Sequence, residues 1–275
     1  MLMGAQKERG IIMNFANIDK AYYALCNNLI MRGEKVGDTL ELRNVSVTIH
    51  NTEDNIVSIR DISPEYLLAE MAWYFSGRND AEFIGKYASM WNRITDDGTT
   101  SNSAYGYILM AKYGFDQIEK AIELLEKEPN SRRAFLNINC ANPDVIDTKD
   151  EPCTIGIQFM VRHGKLDCTA YMRSNDIWFG FPYDAAFFME LQKYVASRLE
   201  IPTGTYTHAV TSLHVYDKQV FKIMRLQQGT KYRINSEQLH ETIPELLKAD
   251  DILETAYQTG VLTTKERKSH EDQNY

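Results

Sequence analysis

The sequence predicts an α+β fold: one large mixed β-sheet with flanking helices. Two kinds of pattern carry that expectation. Some windows alternate apolar and polar residues with a period of two, and others repeat with a helical period. The two kinds do not follow one another in the regular rhythm of βαβ units, which argues against a parallel α/β fold. The 275 residues contain no internal repeat, low-complexity tract or Pro/Gly/Ser linker. A single domain over 1–275 is therefore expected, with 235–275 as a helical C-terminal extension or charged tail.

From the N-terminus, Asn17 to about Met31 reads as a helix, with Ile18, Tyr22, Leu25 and Leu29 on one face and Gly33 past its end. Residues 39–50 alternate as a strand whose phase slips near Arg43-Asn44, the mark of a bulge. Ser63-Pro64 opens a helix as N-cap and first helical residue, and Gly77 suits its stop. Residues 115–128 form an amphipathic helix ending at Pro129. After Arg132 the period becomes two. RAFLNIN, TIGIQFMVR and KLDCTAYMR are strands, the last two a hairpin about His163-Gly164. A largely apolar helix over 184–199 and a strand over 205–216 follow.

The composition is that of an ordinary globular enzyme, 44% hydrophobic and 25% charged. A net charge of −8 argues against a general nucleic-acid binder, since phosphate-backbone affinity needs a Lys/Arg excess. Cys26, Cys140, Cys153 and Cys168 show neither a CxxC pair nor zinc-like spacing, so a reducing compartment and no metal are expected. The first fifteen residues lack a signal-like apolar stretch, and no run is long enough to span a bilayer. The expectation is a cytoplasmic protein, of a bacterium or a virus-infected cell.

Candidate chemistry begins at Cys153, which follows Pro152 at the head of an alternating strand. Alone it reads as a small buried hydrophobe; a nucleophile would need cations nearby to hold the thiolate. Arg132-Arg133 and Arg173-Ser174 flank it in sequence. They suit a bidentate phosphate clamp or equally the exposed ends of strands. Glu70 lies in LLAEMAWYF, apolar on nearly every side, where a carboxylate lines a cavity with a raised pKa or pairs with a buried partner. His214 and Tyr216 share a strand face and suit a sugar hydroxyl or a polar edge of the core. Asp176 and Asp184 surround a Gly-Pro turn, and by default Asp184 caps the next helix.

Taken in order, these pieces resemble the thymidylate synthase family. The matching motifs are SRR at 131–133, PC with QF at 152–159, RSxD…GxPxx at 173–184 and HxY at 214–216. AEMAWYFSG at 69–77, Trp91 and Tyr105-Gly106 fit upstream, so the likeness runs from about Asp61 to Tyr216. Several motifs in the right order are far more specific than one. The resemblance implies that Cys153 adds to C6 of a pyrimidine nucleotide, which makes C5 nucleophilic. It implies that Arg173 and Ser174 hold the phosphate, joined by Arg132 and Arg133 across a sheet-mediated homodimer. Glu70 would organise water and protons. His214 and Tyr216 would hold the 3′-hydroxyl. Asp176, Trp91 and Tyr105 would bind 5,10-methylenetetrahydrofolate.

Departures from the family pattern sharpen the expectation. Asp184 stands where thymidylate synthases have Asn. An Asn amide suits uracil, whereas a carboxyl accepts from the cytosine 4-amino group and shares a proton with N3. That resembles the deoxycytidylate hydroxymethylase branch. Thr154 replaces the His that follows the nucleophile, and EDQNY lacks the apolar ending that closes over folate; both suit water addition at the methylene carbon. Trp91 points the other way, because an aromatic there excludes water in the methylating enzymes. The N-terminal phosphate ligand would be Arg32, Arg43 or Lys35. Rival readings are a 5-methyl-dCMP synthase, a CMP hydroxymethylase, a dUMP-type enzyme, a Cys153–His214 hydrolase and a nucleotide binder without activity.

Overall fold

The computed structural model describes residues 10–227 and 229–264. Strand β1 (Ile11–Phe15) leads into helix α1 (Ile18–Arg32), whose N-cap Asn17 accepts from the Lys20 amide at 3.1 Å. Its buried stripe, Ile18, Ala21, Tyr22, Leu25, Cys26 and Leu29, recurs at helical spacing and packs on the sheet. Strand β2 (Glu34–Val36) pairs back on β3 (Thr39–Ile49). Helix α2 (Pro64–Phe75) begins at Ser63, which accepts from the Tyr66 amide at 3.1 Å, and it is buried on almost every side from Leu67 to Tyr74. Three short helices follow, α3 (Ala81–Ile84), α4 (Met90–Ile94) and α5 (Tyr105–Met110), then the amphipathic α6 (Gln117–Lys127).

The second half supplies β4 (Phe135–Asn137), β5 (Thr154–Arg162), β6 (Lys165–Asp176), helix α7 (Phe181–Arg198) and β7 (Thr203–Tyr216). The β5–β6 hairpin turns at His163-Gly164, both at positive φ (52° and 71°), which the right-handed twist of a tight hairpin requires. Helix α8 (Asp217–Ile223), strand β8 (Tyr232–Ile234), helices α9 (Ser236–Leu246) and α10 (Ile252–Gln258) and strand β9 (Leu262–Thr264) complete the described chain. Helices α9 and α10 pack against α2, so residues 235–258 are part of the domain body rather than a tail. The expected tail beyond Thr264 lies outside the described residues.

Among the described residues the main sheet has seven strands, ordered β1-β3-β7-β6-β5-β4, with β2 on the edge of β3. It is mixed: β1–β3 and β6–β7 are parallel and the other pairs antiparallel. One face is buried under α1, α6 and α7. The other carries half-exposed Thr48, Thr169, Tyr171, Thr207 and Ala209.

In place of the bulge expected at Arg43-Asn44 the pairing register is unbroken, and the buried face slips by one residue in three neighbouring strands together. Buried positions run Leu42 then Val45 in β3, Met172 then Asn175 in β6, and Val210 then Leu213 in β7. Leu42 and Val45 pair with Leu213 and Val210, and those pair with Asn175 and Met172, so the phase slips at one level across the sheet. Asn44 takes the strained conformation, φ 55°. Beyond that line the β6 and β7 ends re-aim their side chains, and the candidate site is built there.

Three further expectations need adjustment. Helix α7 starts at Phe181, with Pro182 in its first turn, so Asp184 sits inside the helix and caps nothing. The strand expected across RAFLNIN shrinks to three residues. Finally, β1, β2, β8, β9 and the short helices were not foreseen.

Candidate active site

Cys153 lies half-buried just before β5. Its carbonyl accepts from the Arg173 amide at 2.9 Å. The Arg173 side chain then donates from Nε to the Pro152 carbonyl at 3.0 Å and from Nη2 to the Glu151 carbonyl at 2.7 Å. One arginine thus braces the whole 151–153 loop, leaving its other N–H groups open to solvent. Burial pushes the Cys153 thiol up to about 11; the Arg173 charge opposes this, while Asp184, Asp150 and Asp176 add to it.

Glu70 on α2 is buried, as its apolar surroundings imply. The Tyr66 hydroxyl donates to its Oε1, and Trp91 Nε1 donates to that hydroxyl at 3.1 Å. Burial dominates and lifts the Glu70 carboxyl to about 8, assisted by the charge of Asp184 and opposed by hydrogen bonds from Tyr66 and Tyr74. Tyr105 stacks on Tyr74, centroids 5.1 Å apart, and the fields of Asp184, Cys153 and Glu70 all reach its hydroxyl. This close approach is possible because Gly106 has no side chain: a Cβ there would lie 1.7 Å from the Tyr74 carbonyl oxygen. Thr154, behind Cys153, is fully buried beside Tyr105.

Asp184 faces this cluster from the first turn of α7. Its Oδ2 accepts from Asn175 Nδ2 at 2.7 Å, and burial raises its pKa to about 7. Asp176 puts Oδ1 on the amides of Trp178 (2.7 Å) and Phe179 (3.0 Å), and burial raises its pKa as well. His214 pairs in register with Asp176, approaches Ser174 Oγ at 3.5 Å from Nδ1, and meets the exposed Tyr216 edge-on at 5.5 Å.

The fold therefore gathers Cys153, Glu70, Tyr105, Asp184, Asp176, Arg173, Ser174, His214 and Tyr216 at the ends of β5, β6 and β7. Trp91 joins through Tyr66. Arg132 and Arg133 stand elsewhere: they are exposed and line a surface hollow of about 390 Å³, where Arg133 clasps Glu128 at 2.7 Å. Of the N-terminal cations, Arg32 bonds Asn28 at 3.4 Å and Arg43 bonds Glu34 at 3.4 Å. Lys35 reaches Asp217, next to Tyr216, at 2.5 Å.

Several neighbours escaped the sequence reading. Arg60 donates to the Trp178 carbonyl at 2.5 Å and lies 3.8 Å above the Trp178 ring, its charge felt by Asp176. With Lys222 and Arg225 it lines a hollow of about 360 Å³. Asn175 stood inside the RSND motif unassigned; a polar residue on the buried phase of a strand was its only signal. Tyr66 lies one helical turn before Glu70, the spacing at which it reaches that carboxylate.

Similar proteins agree with this architecture. The family described as "Thymidylate synthase" matches residues 20–261. "Deoxyuridylate hydroxymethyltransferase" of Pseudomonas phage M6 is 32% identical over 170 residues, 61% of this chain and 48% of that protein. The protein of the same name from Bacillus phage SP01 is 31% identical over 203 residues, 68% of this chain and 52% of that protein. The chain thus spans about half the length of these curated relatives. Thermostable thymidylate synthase A from Bacillus subtilis shares the fold at a TM-score of 0.66 and 22% identity, covering 90% of this chain and 94% of that one. With Glu70, Cys153, Asp184 and His214 all inside the matched span, the chain belongs to the thymidylate synthase family.

Proposed function

We propose that this chain hydroxymethylates C5 of deoxycytidylate, with Cys153 as nucleophile. The observation that carries the reading is the junction of Cys153 with the buried Glu70 and the half-buried Asp176 and Asp184, where loss of solvent raises Glu70 to about 8 and Asp184 to about 7. Groups poised near the working pH both hold and release protons, which a substitution at C5 demands. Cys153 Sγ adds to C6, the C5=C6 bond opens, and C5 becomes the attacking carbon. Glu70, tied to Tyr66, handles the water and protons needed to remove the C5 hydrogen.

Asp184 reads the base. A carboxyl that is neutral or shares its proton accepts from the cytosine 4-amino group while giving that proton to N3. Ser174, His214 and Tyr216 hold phosphate and sugar, as the register Asp176–His214 aligns them. 5,10-Methylenetetrahydrofolate supplies the one-carbon unit when bound, and the residues present suit it. Asp176 keeps one oxygen outside its turn, Trp91 and Tyr105 are aromatic walls, and Arg60, Lys222 and Arg225 offer cations to its carboxylates.

One chain is short of positive charge for this task. Around Cys153 stand Asp150, Asp176 and Asp184 against Arg173, whereas a nucleotide phosphate brings two further negative charges. Arg132 and Arg133, exposed away from their own cluster, are therefore proposed to enter the site of a second copy, in a homodimer joined through the half-exposed sheet face. Among the described residues no helix is long and apolar enough to cross a membrane.

A second reading, deoxyuridylate as substrate, is favoured by the names of both phage relatives. A protonated carboxyl also pairs with uracil, accepting from N3–H and donating to O4. Incubation with dCMP, dUMP or CMP tritiated at C5, with methylenetetrahydrofolate, separates them. Tritium release and a hydroxymethyl product from dCMP are expected; release from dUMP alone selects the second reading, and formation of dihydrofolate overturns hydroxymethyl transfer.

A further inference from the structure

Behind Asp184 runs a buried chain of hydrogen bonds. Tyr206 Oη lies 2.7 Å from His208 Nδ1, His208 Nε2 lies 3.1 Å from Asn175 Oδ1, and Asn175 Nδ2 lies 2.7 Å from Asp184 Oδ2. Tyr206, His208 and Asn175 are 0%, 1% and 3% exposed, so water does not substitute for any of these links. Each partner fixes the next. Asn175 Oδ1 only accepts, so Nε2 carries the histidine proton, Nδ1 accepts, and the tyrosine donates. Burial drops the His208 pKa to about 3, so the ring stays neutral and keeps this tautomer. The local backbone leaves room for the last link. A Cβ on Gly180 would lie 2.7 Å from Asn175 Nδ2 and 3.1 Å from Asp184 Oδ2.

We propose that Asn175, held by His208 and Tyr206, is a positioning residue that fixes the hydrogen-bonding sense of Asp184 and so sets the discrimination between cytosine and uracil. The inference rests on Asp184 reading the base. The oxygen beside Asn175 always faces an N–H and is an acceptor in either protonation state. The carboxyl proton therefore resides on the other oxygen. Cytosine and uracil present opposite donor–acceptor orders at N3 and the 4-position, so a carboxyl of fixed sense matches one of them. For the other it must place a proton against the Asn175 amide, donor against donor. Glu70, Asp176, Cys153, Tyr105 and Tyr206 also face this carboxyl, and Asn175 Nδ2 is the donor that binds it.

The test uses the full-length protein and two readouts, nucleotide Kd without folate and kcat/KM with it. Asn175→Leu keeps the branched shape and removes both the donor to Asp184 and the acceptor for His208. It should narrow the ratio of dCMP to dUMP affinity by about tenfold, the worth of one hydrogen bond to a charged group. The ionisation of Asp184, read from the pH dependence of Kd, should move upward. Tyr206→Phe, which leaves the fold's packing intact, should do the same to a smaller degree, and His208→Gln, which retains an amide donor, should restore most of what His208→Phe loses. An unchanged ratio in Asn175→Leu and Tyr206→Phe overturns the relay while leaving the cytosine reading standing. A wild-type preference for dUMP that narrows in Asn175→Leu upholds the relay and overturns the cytosine reading.

Discussion

The Asp184→Asn substitution isolates the energetics of one carboxyl. The two side chains are isosteric, and the carbonyl oxygen of the new amide still accepts from Asn175 Nδ2, so what is lost is the charge. Burial lifts the Asp184 pKa from an ordinary 3.8 to about 7 in the folded chain. The native state therefore holds a proton between these values that the unfolded chain has released. The slope of stability with pH is set by protons bound unfolded minus protons bound native, and is negative here. Stability is full below pH 4 and falls until the native carboxyl ionises near pH 7. Between pH 5.5 and 8.5 the remaining part of the shift is worth about 2 kcal/mol, at about 1.4 kcal/mol per unit. This is an upper figure, because Asp184 keeps some contact with solvent. For a chain of this size the difference corresponds to about 4–8 °C in Tm. Thermal unfolding of both proteins at matched concentration should show the Tm of the Asn variant rising relative to that of the wild type by this amount between pH 5.5 and pH 8.5. Parallel curves across that range would refute the burial argument, whatever substrate the enzyme takes.

Further expectations concern the neighbouring groups. Cys153→Ala should abolish tritium release while leaving nucleotide Kd nearly unchanged; retained turnover rejects the nucleophile. Alkylation of Cys153 by iodoacetamide, followed by peptide mass spectrometry, should climb with pH, and Arg173→Leu should slow it about tenfold at pH 8, since Arg173 is the cation opposing burial. Equal rates in both proteins reject that electrostatic role. Glu70→Gln should remove an inflection near pH 8 from the kcat/KM profile, and an inflection that persists assigns it to another group. Gly106→Ala drives a methyl to 1.7 Å from the Tyr74 carbonyl, so denaturant unfolding should show a loss of about 3 kcal/mol.

The parts of the fold legible in sequence were those with a long enough period or a marked end. Helices α1, α2 and α6 announced themselves through Asn17, Ser63-Pro64 and a clear apolar stripe, and the β5–β6 hairpin through alternation broken at His163-Gly164. Strands β2, β4, β8 and β9 span three residues each, too few for alternation to be counted. Asp184 was misplaced as a cap because Asp before an apolar run is a common helix opening. Pro182 moved the start back to Phe181, and the acidic side chain was freed to face the cluster.

The Asn175 relay was hidden for a different reason. After the shared phase slip Asn175 takes a buried position on β6, while Tyr206 and His208 take buried positions on β7, thirty or so residues away. In sequence each is a polar interruption of an apolar face, and nothing local says which partner answers it. Hydrogen-bond satisfaction constrains the answer nonetheless. An unpaired buried amide or imidazole costs about 1–3 kcal/mol, so polar residues on adjacent buried strand positions must satisfy one another. Tyr206 and His208 do so within β7, which leaves one imidazole nitrogen and one amide to pair across strands. The remaining Asn175 N–H then needs an acceptor, and Asp184 is the group within reach. The carboxyl at the proposed base-recognition position thus ends a chain of obligations that begins in the core. A change of base preference should therefore be reachable from inside the sheet as well as from the pocket.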